Sequence, residues 1–146
     1  MQVLYYSTPA TLNTLSSLVG TIAGELYRQA ATAAVLPTGP IQWIYYGADG
    51  KPDTPFTLDI ALPLATETDI TGRFGFKILP ATTALFRMHR GDWKFLYETY
   101  EQLADIAGNE QYELTGVCRE QYIYMDFQQP ENNLTEVCME IVKPRT

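Results

Sequence analysis

The sequence predicts an α+β fold: two strand-helix-strand-strand units with antiparallel sheet pairing, related by a pseudo-twofold axis, with a central groove where they meet. Three observations carry this prediction. Apolar residues recur at the three-and-four spacing of a one-sided helix in two places, from Leu12 to Ala34 and from Trp93 to Ala107. Each stripe is followed by two β-branched and aromatic runs with turn residues between them. The chain also aligns with itself without a gap at an offset of 77 residues, which sets Thr38 on Thr115, Gly39 on Gly116, Tyr45 on Tyr122, Asp49 on Asp126, Asp59 on Glu136 and Ile60 on Val137. The helical stripes match in part, with Leu18 on Phe95 and Leu26 on Leu103.

Taken in order, Thr8-Pro9 offers a start for the first helix, because a first-turn proline gives up an N–H that has no helical partner and a threonine before it can cap. Pro37 and Gly39 mark its exit. Ile41 to Tyr46 and Phe56 to Leu62 then read as a hairpin across Gly47 to Asp53. Phe74 to Leu79 and Thr82 to Met88 read as strands around Pro80, and Gly108 can end the second helix as a left-handed residue. Cys118 to Phe127 and Leu134 to Ile141 form a second hairpin. The expected organisation is a single domain, 1–146, made of two repeats at about 1–66 and 74–146.

Ten Lys and Arg against seventeen Asp and Glu give a net charge of −7. That balance disfavours surfaces that neutralise phosphates or anionic lipid, so neither a direct nucleic-acid partner nor a membrane partner is expected. The N-terminus lacks the basic and apolar regions of a secretory signal, and no apolar run approaches a membrane span, so the expected location is cytoplasmic. Cys118 and Cys138 lack CxxC spacing or neighbouring histidines, which predicts reduced thiols and no metal site, with a bridge or a bound metal as the competing readings. No cofactor motif is present. Gly47 to Gly50 precedes no helix and is a turn, no phosphate cradle. Asp49, Asp53 and Asp59 lack calcium-loop order. His89 reads as a residue at the surface or at a helix start.

Two Trp, ten Tyr and six Phe are many aromatics for 146 residues, and strand parity sorts them. If the second hairpin is in register, Ile123, Met125 and Phe127 share a core face with Val137, Met139 and Ile141. The opposite face then collects Cys118, Glu120, Tyr122 and Tyr124 with Leu134, Glu136, Cys138 and Glu140. The same sorting in the first hairpin places Ile44 and Tyr46 with Ile60 and Leu62 in the core, and leaves Trp43, Tyr45, Asp59 and Ala61 outside. Aromatic walls around a few acids describe a small-molecule site, since Tyr and Trp combine apolar area with a polar handle, their π faces attract cations, and a carboxylate supplies the counter-charge. Packing of these aromatics between the two halves is the competing reading. Glu136 stands out as a carboxylate between Leu134 and Cys138. Trp93, at the start of the second helix, is a core residue by spacing that could also close one end of the groove; Tyr97 and Tyr100 read as core.

The stretches FGFKILPATTALFRMHRGDW, ELTGVCREQYIYMDF and LTEVCMEIVKP resemble the GyrI-like effector-binding domain, the ligand-sensing domain of AraC-type and MerR-type transcription activators. The matching elements are Leu79-Pro80-Ala81, His89-Arg90-Gly91 with Trp93, Gly116, Glu120-X-Tyr122 and Thr135-Glu136-Val137. The resemblance covers about half the chain strongly and reaches the first half through the repeat. Met139-Glu140-Ile141 departs from the family's Ile-Pro-hydrophobic ending, which Ala61-Leu62-Pro63-Leu64 shows instead, and no helix-turn-helix precedes the domain. The resemblance implies that Glu136 faces the central groove and pairs with lipophilic cations, with Trp43, Tyr45, Tyr122 and Tyr124 as walls.

Three functions follow as expectations. The first is a binding or sensing module for a lipophilic, cationic small molecule, without its own DNA-binding domain. The second is a hydrolase of small reactive compounds, with Glu136, Glu120 and Tyr122 as general base and acid. The third is a protein-interaction inhibitor or regulator partner docking through its acidic surface.

Overall fold

The computed structural model describes residues 1–15, 21–70 and 72–142. It divides into two compact units, Met1–Ala81 and Thr82–Thr146. The fold is α+β and, among the described residues, every strand pairing within a unit is antiparallel.

The first unit holds β1 (Gln2–Ala10), α1 (Ile22–Thr32), β2 (Gln42–Tyr46), β3 (Phe56–Pro63) and β4 (Gly75–Ile78), with strand order β4-β1-β3-β2. Leu4, Leu58, Ile60 and Leu62 are fully buried, and α1 turns Ile22, Leu26 and Ala30 inward. Glu25 of α1 reaches Arg73, whose guanidinium lies over the Tyr6 ring at 5.3 Å, so α1 covers the face that carries Leu4, Tyr6 and Ile60. The second unit holds β5 (Ala84–Arg90), α2 (Leu96–Asn109), β6 (Glu113–Tyr124) and β7 (Leu134–Val142), in the order β6-β7-β5. Leu103 of α2 packs on Val137 and Met139, with Leu85, Leu96, Tyr100 and Cys118 around them.

Equivalent residues do equivalent work in the two units. Leu26 and Leu103 anchor their helices. Asp49 and Asp126 each accept the N–H of the residue two positions on, Lys51 at 2.9 Å and Gln128 at 3.0 Å, and so fix their hairpin loops. The match of Leu18 to Phe95 lies outside the described residues.

Several boundaries differ from the sequence reading. Thr8-Pro9 belongs to β1, where Pro9 faces only Thr57 of β3 because β4 ends its pairing at Tyr5, so the missing N–H interrupts no second ladder. Thr11, whose N–H donates to Thr14 Oγ1 at 2.9 Å, caps a single 3-10 turn, Leu12–Thr14, and the N-cap of α1 is Thr21. Phe74 to Leu79 does not head the second unit, since β4 pairs with β1 and β5 takes the first-strand position instead. Gly108 lies inside α2, which runs on to Asn109; Gln111 (φ 59°) takes the left-handed position. His89 is buried at the end of β5.

Candidate functional site

Side chains directly opposite in an antiparallel pair share a face, so register decides which residues meet. In the second unit Glu120 lies opposite Val137 and Tyr122 opposite Thr135, while Gln121 faces Glu136. The first unit keeps the same register 77 residues earlier, with Trp43 opposite Ile60, Tyr45 opposite Leu58 and Ile44 opposite Asp59. Both hairpins are therefore one residue out from the parity sorting. Glu120 and Tyr122 point to the helix-covered face with Val137 and Met139, and Glu136 points to the other.

The expected core row of Ile123, Met125 and Phe127 is corrected accordingly. Phe127 is 80% exposed, and β6 ends at Tyr124. A register shift between Tyr122 and Tyr124 sets Tyr124 opposite Leu134, on the Glu136 face, so the two tyrosines part company. In the first unit Trp43 and Tyr45 do share a face, their rings 6.5 Å apart, and Tyr45 is buried against Phe56. Asp59 is on the opposite face, where it pairs with Lys77.

Five aromatic and carboxylate groups are brought together in the second unit. Glu120 is only 5% exposed, and the hydroxyls of Tyr100 and Tyr122 each donate to its carboxylate at 2.5 Å. The Trp93 ring stands edge-on to Tyr122 at 5.4 Å, and its Nε1–H donates to Thr135 Oγ1 at 3.0 Å. The Phe127 ring also meets the indole edge-to-face, at 6.1 Å. Asp92 caps the turn that carries Trp93 by accepting the Lys94 N–H at 3.0 Å. His89 holds that turn to α2: its Nε2–H donates to the Asp92 carbonyl at 3.0 Å, and its Nδ1 shares a hydrogen bond with the Thr99 hydroxyl at 2.8 Å.

A carboxylate removed from water retains its charge only where donors replace the hydration shell. Two phenol hydroxyls supply such donors to Glu120. Sequence reasoning named Glu120, Tyr122 and Trp93 but took Tyr100 for core, because helical spacing reports which side a residue faces and says nothing of its hydroxyl. Thr135 and the burial of His89 were also missed.

Glu136 has different surroundings. It accepts the Gln121 amide at 3.4 Å and the Cys138 thiol at 3.5 Å. Burial, then the Glu136 charge, pushes the Cys138 thiol up to about 12. Burial and Glu120 push Cys118 up to about 11. Neither thiol is poised as a nucleophile. Among the described residues no three His, Cys, Asp or Glu converge as a metal would require, and no helix is long and apolar enough to cross a membrane.

No protein-family model and no curated protein matches the chain. Solved structures share its fold. The EcmrR C-terminal domain is 18% identical with a TM-score of 0.77, over 98% of this chain and 93% of that one. EcmrR in its complex with DNA is 21% identical with a TM-score of 0.79; 98% of this chain is covered, but it spans only 55% of that one. SAV2435 bound to tetraphenylphosphonium is 11% identical with a TM-score of 0.64, over 97% of this chain and 88% of that one. A hydrolase from Listeria innocua is 14% identical with a TM-score of 0.70, over 97% and 88%. The fold is the one that the resemblance to the GyrI-like effector-binding domain implies.

Proposed function

We propose that this chain is a ligand-sensing module that binds an aromatic or otherwise lipophilic cation through Glu120, with Tyr100, Tyr122 and Trp93 around it. The observation that carries this reading is the buried Glu120 carboxylate held between two tyrosine hydroxyls at 2.5 Å, beside an indole. A cation entering there exchanges one phenol donor for full charge and covers its apolar parts with aromatic faces. The shared fold of SAV2435, bound to the lipophilic cation tetraphenylphosphonium, supports the ligand class.

The test is a tryptophan-fluorescence titration with tetraphenylphosphonium. Saturable quenching is expected, and Glu120→Gln, checked for an unchanged circular dichroism spectrum, weakens binding about tenfold or more, the value of one charge-assisted hydrogen bond. Glu136→Gln leaves affinity unchanged. Equal affinity in wild type and Glu120→Gln would sink the reading.

A hydrolytic reading is favoured by the same two contacts, since a carboxylate bonded to phenols can take a proton while a tyrosine returns one. It predicts turnover of small electrophiles that Glu120→Gln abolishes while binding persists. A sensing module shows no turnover in either form.

A further inference from the structure

The two units offer an internal comparison on the sheet face away from the helices. Ser7 of β1 lies opposite Asp59, and Met88 of β5 lies opposite Glu136, so the acids of the two third strands hold equivalent places. Tyr5 corresponds to Phe86 and Val3 to Ala84. In the first unit a further strand, β4, runs outside β1. Its Lys77, opposite Val3, crosses the Tyr5 ring at 4.1 Å and pairs with Asp59, which is 2% exposed. Gly75 lies opposite Tyr5, where an added Cβ would come within 2.9 Å of the ring, so the close approach depends on glycine.

In the second unit β5, among the described residues, pairs with β7 alone. Phe86, in the place of Tyr5, is 67% exposed, and Met88 is 42% exposed. Among the described residues no cation lies within ion-pairing distance of Glu136. On the Glu136 face the second unit has a cavity of about 220 Å³, bordered by Ala84, Arg119, Gln121, Glu136, Cys138 and Glu140. Two carboxylates against one guanidinium leave it net negative. Arg90 is at the far end of the face, opposite Leu134, while Arg87 and His89 point to the helix side opposite Val137 and Thr135.

We propose that the outer edge of β5 binds an extended segment of a partner protein by antiparallel strand addition. A lysine of that segment sits opposite Ala84, crosses Phe86 and pairs with Glu136 in the cavity; a small residue two positions before it lies opposite Phe86. Main-chain hydrogen bonds to the unpaired edge supply attraction, and the lysine supplies register and specificity. The segment has the chemistry of Gly75-Phe76-Lys77, the sequence this fold already uses at the equivalent edge.

The probe is a fluorescein-labelled peptide with the β4 sequence, Arg73 to Leu79, titrated with the full chain and read by fluorescence anisotropy. Saturable binding is expected. Lys77→Gln in the peptide and Glu136→Gln in the protein each weaken it about tenfold, as loss of one charge-assisted contact does. Glu120→Gln leaves it unchanged, so this proposal and the ligand site fail separately. Amide exchange along β5 slows when the peptide is bound. The proposal is overturned by absence of saturation, by indifference to the lysine in the peptide, or by protection outside β5. It is equally overturned if the chain self-associates through β5 and the peptide does not compete, which would assign the edge to a second copy.

Discussion

Thr135 is fully buried, flanked by His89 on β5 and Tyr122 on β6, and its hydroxyl oxygen accepts a hydrogen bond from the Trp93 indole N–H. Thr135→Val preserves the shape and leaves the part-buried indole N–H without its acceptor, which costs about 1 kcal/mol. Urea unfolding followed by tryptophan fluorescence is expected to show that loss, with Thr135→Ser near wild type; a valine variant as stable as the parent would mean the bond contributes nothing. The same strand shows how far single residues are legible. The alternation of β7 is plain in Thr135-Glu136-Val137-Cys138, and the outcome that one face is polar follows. Which acid meets Tyr122 does not follow, because the loop between β6 and β7 is too long to fix register, and one residue of slip exchanges Glu136 for Glu120. The aligned pairs Tyr45 with Tyr122 and Asp59 with Glu136 were readable because they needed no register at all.

Both helices end in the same way. The Val35 N–H donates to the Ala30 carbonyl at 3.0 Å with Ala34 at φ 57°, and the Tyr112 N–H donates to the Ala107 carbonyl at 2.9 Å with Gln111 at φ 59°. This six-to-one closure favours glycine at the left-handed residue, and neither helix has one there. A left-handed L-residue costs about 1–2 kcal/mol, partly offset by the chain entropy that glycine loses. Ala34→Gly and Gln111→Gly are each expected to raise the melting temperature by about 2–4 °C, measured by circular dichroism. A fall in both would show that other contacts govern these ends. Helix positions and three of the four hairpin strands were legible because their periodicities are strong. The first strand and β4 were harder: Val3, Leu4, Tyr5 and Tyr6 form an unbroken run without alternation, and Gly75-Phe76-Lys77-Ile78 carries no mark of which neighbour it joins. Gly108 misled because glycine is permissive, and the burial of Leu103 and Ala107 holds the helix past it.

Across the molecule, the shifted groups with partial burial point one way. Lys77 loses charge stability to burial, but the hydrogen bond and charge of Asp59 outweigh this and leave its pKa raised. Cys118 and Cys138 are raised to about 11 and about 12. A raised folded-state pKa gives stability that is complete below the unfolded value and lost as pH rises through the folded one. The melting temperature is therefore expected to fall steeply from about pH 9 to pH 12, and the double variant Cys118→Ala/Cys138→Ala to flatten that limb relative to its own neutral value. Parallel alkaline limbs in parent and variant would refute the assignment. Asp49 and Asp126 are lowered by backbone N–H groups, Lys51 and Gln129 first, but both lie at the solvent surface and act weakly at the acid end.

The irregularity between Tyr122 and Tyr124 has a consequence for how such a protein diversifies. Residues two apart on a regular strand are bound to one side and so to one selective pressure. Here a single extra residue frees Tyr124 from the fate of Tyr122. Gain or loss of one codon, rather than any substitution, is the mutation that would redistribute aromatic surface between the helix-covered face and the outer face, and descendants of this chain could exchange the two positions in one step.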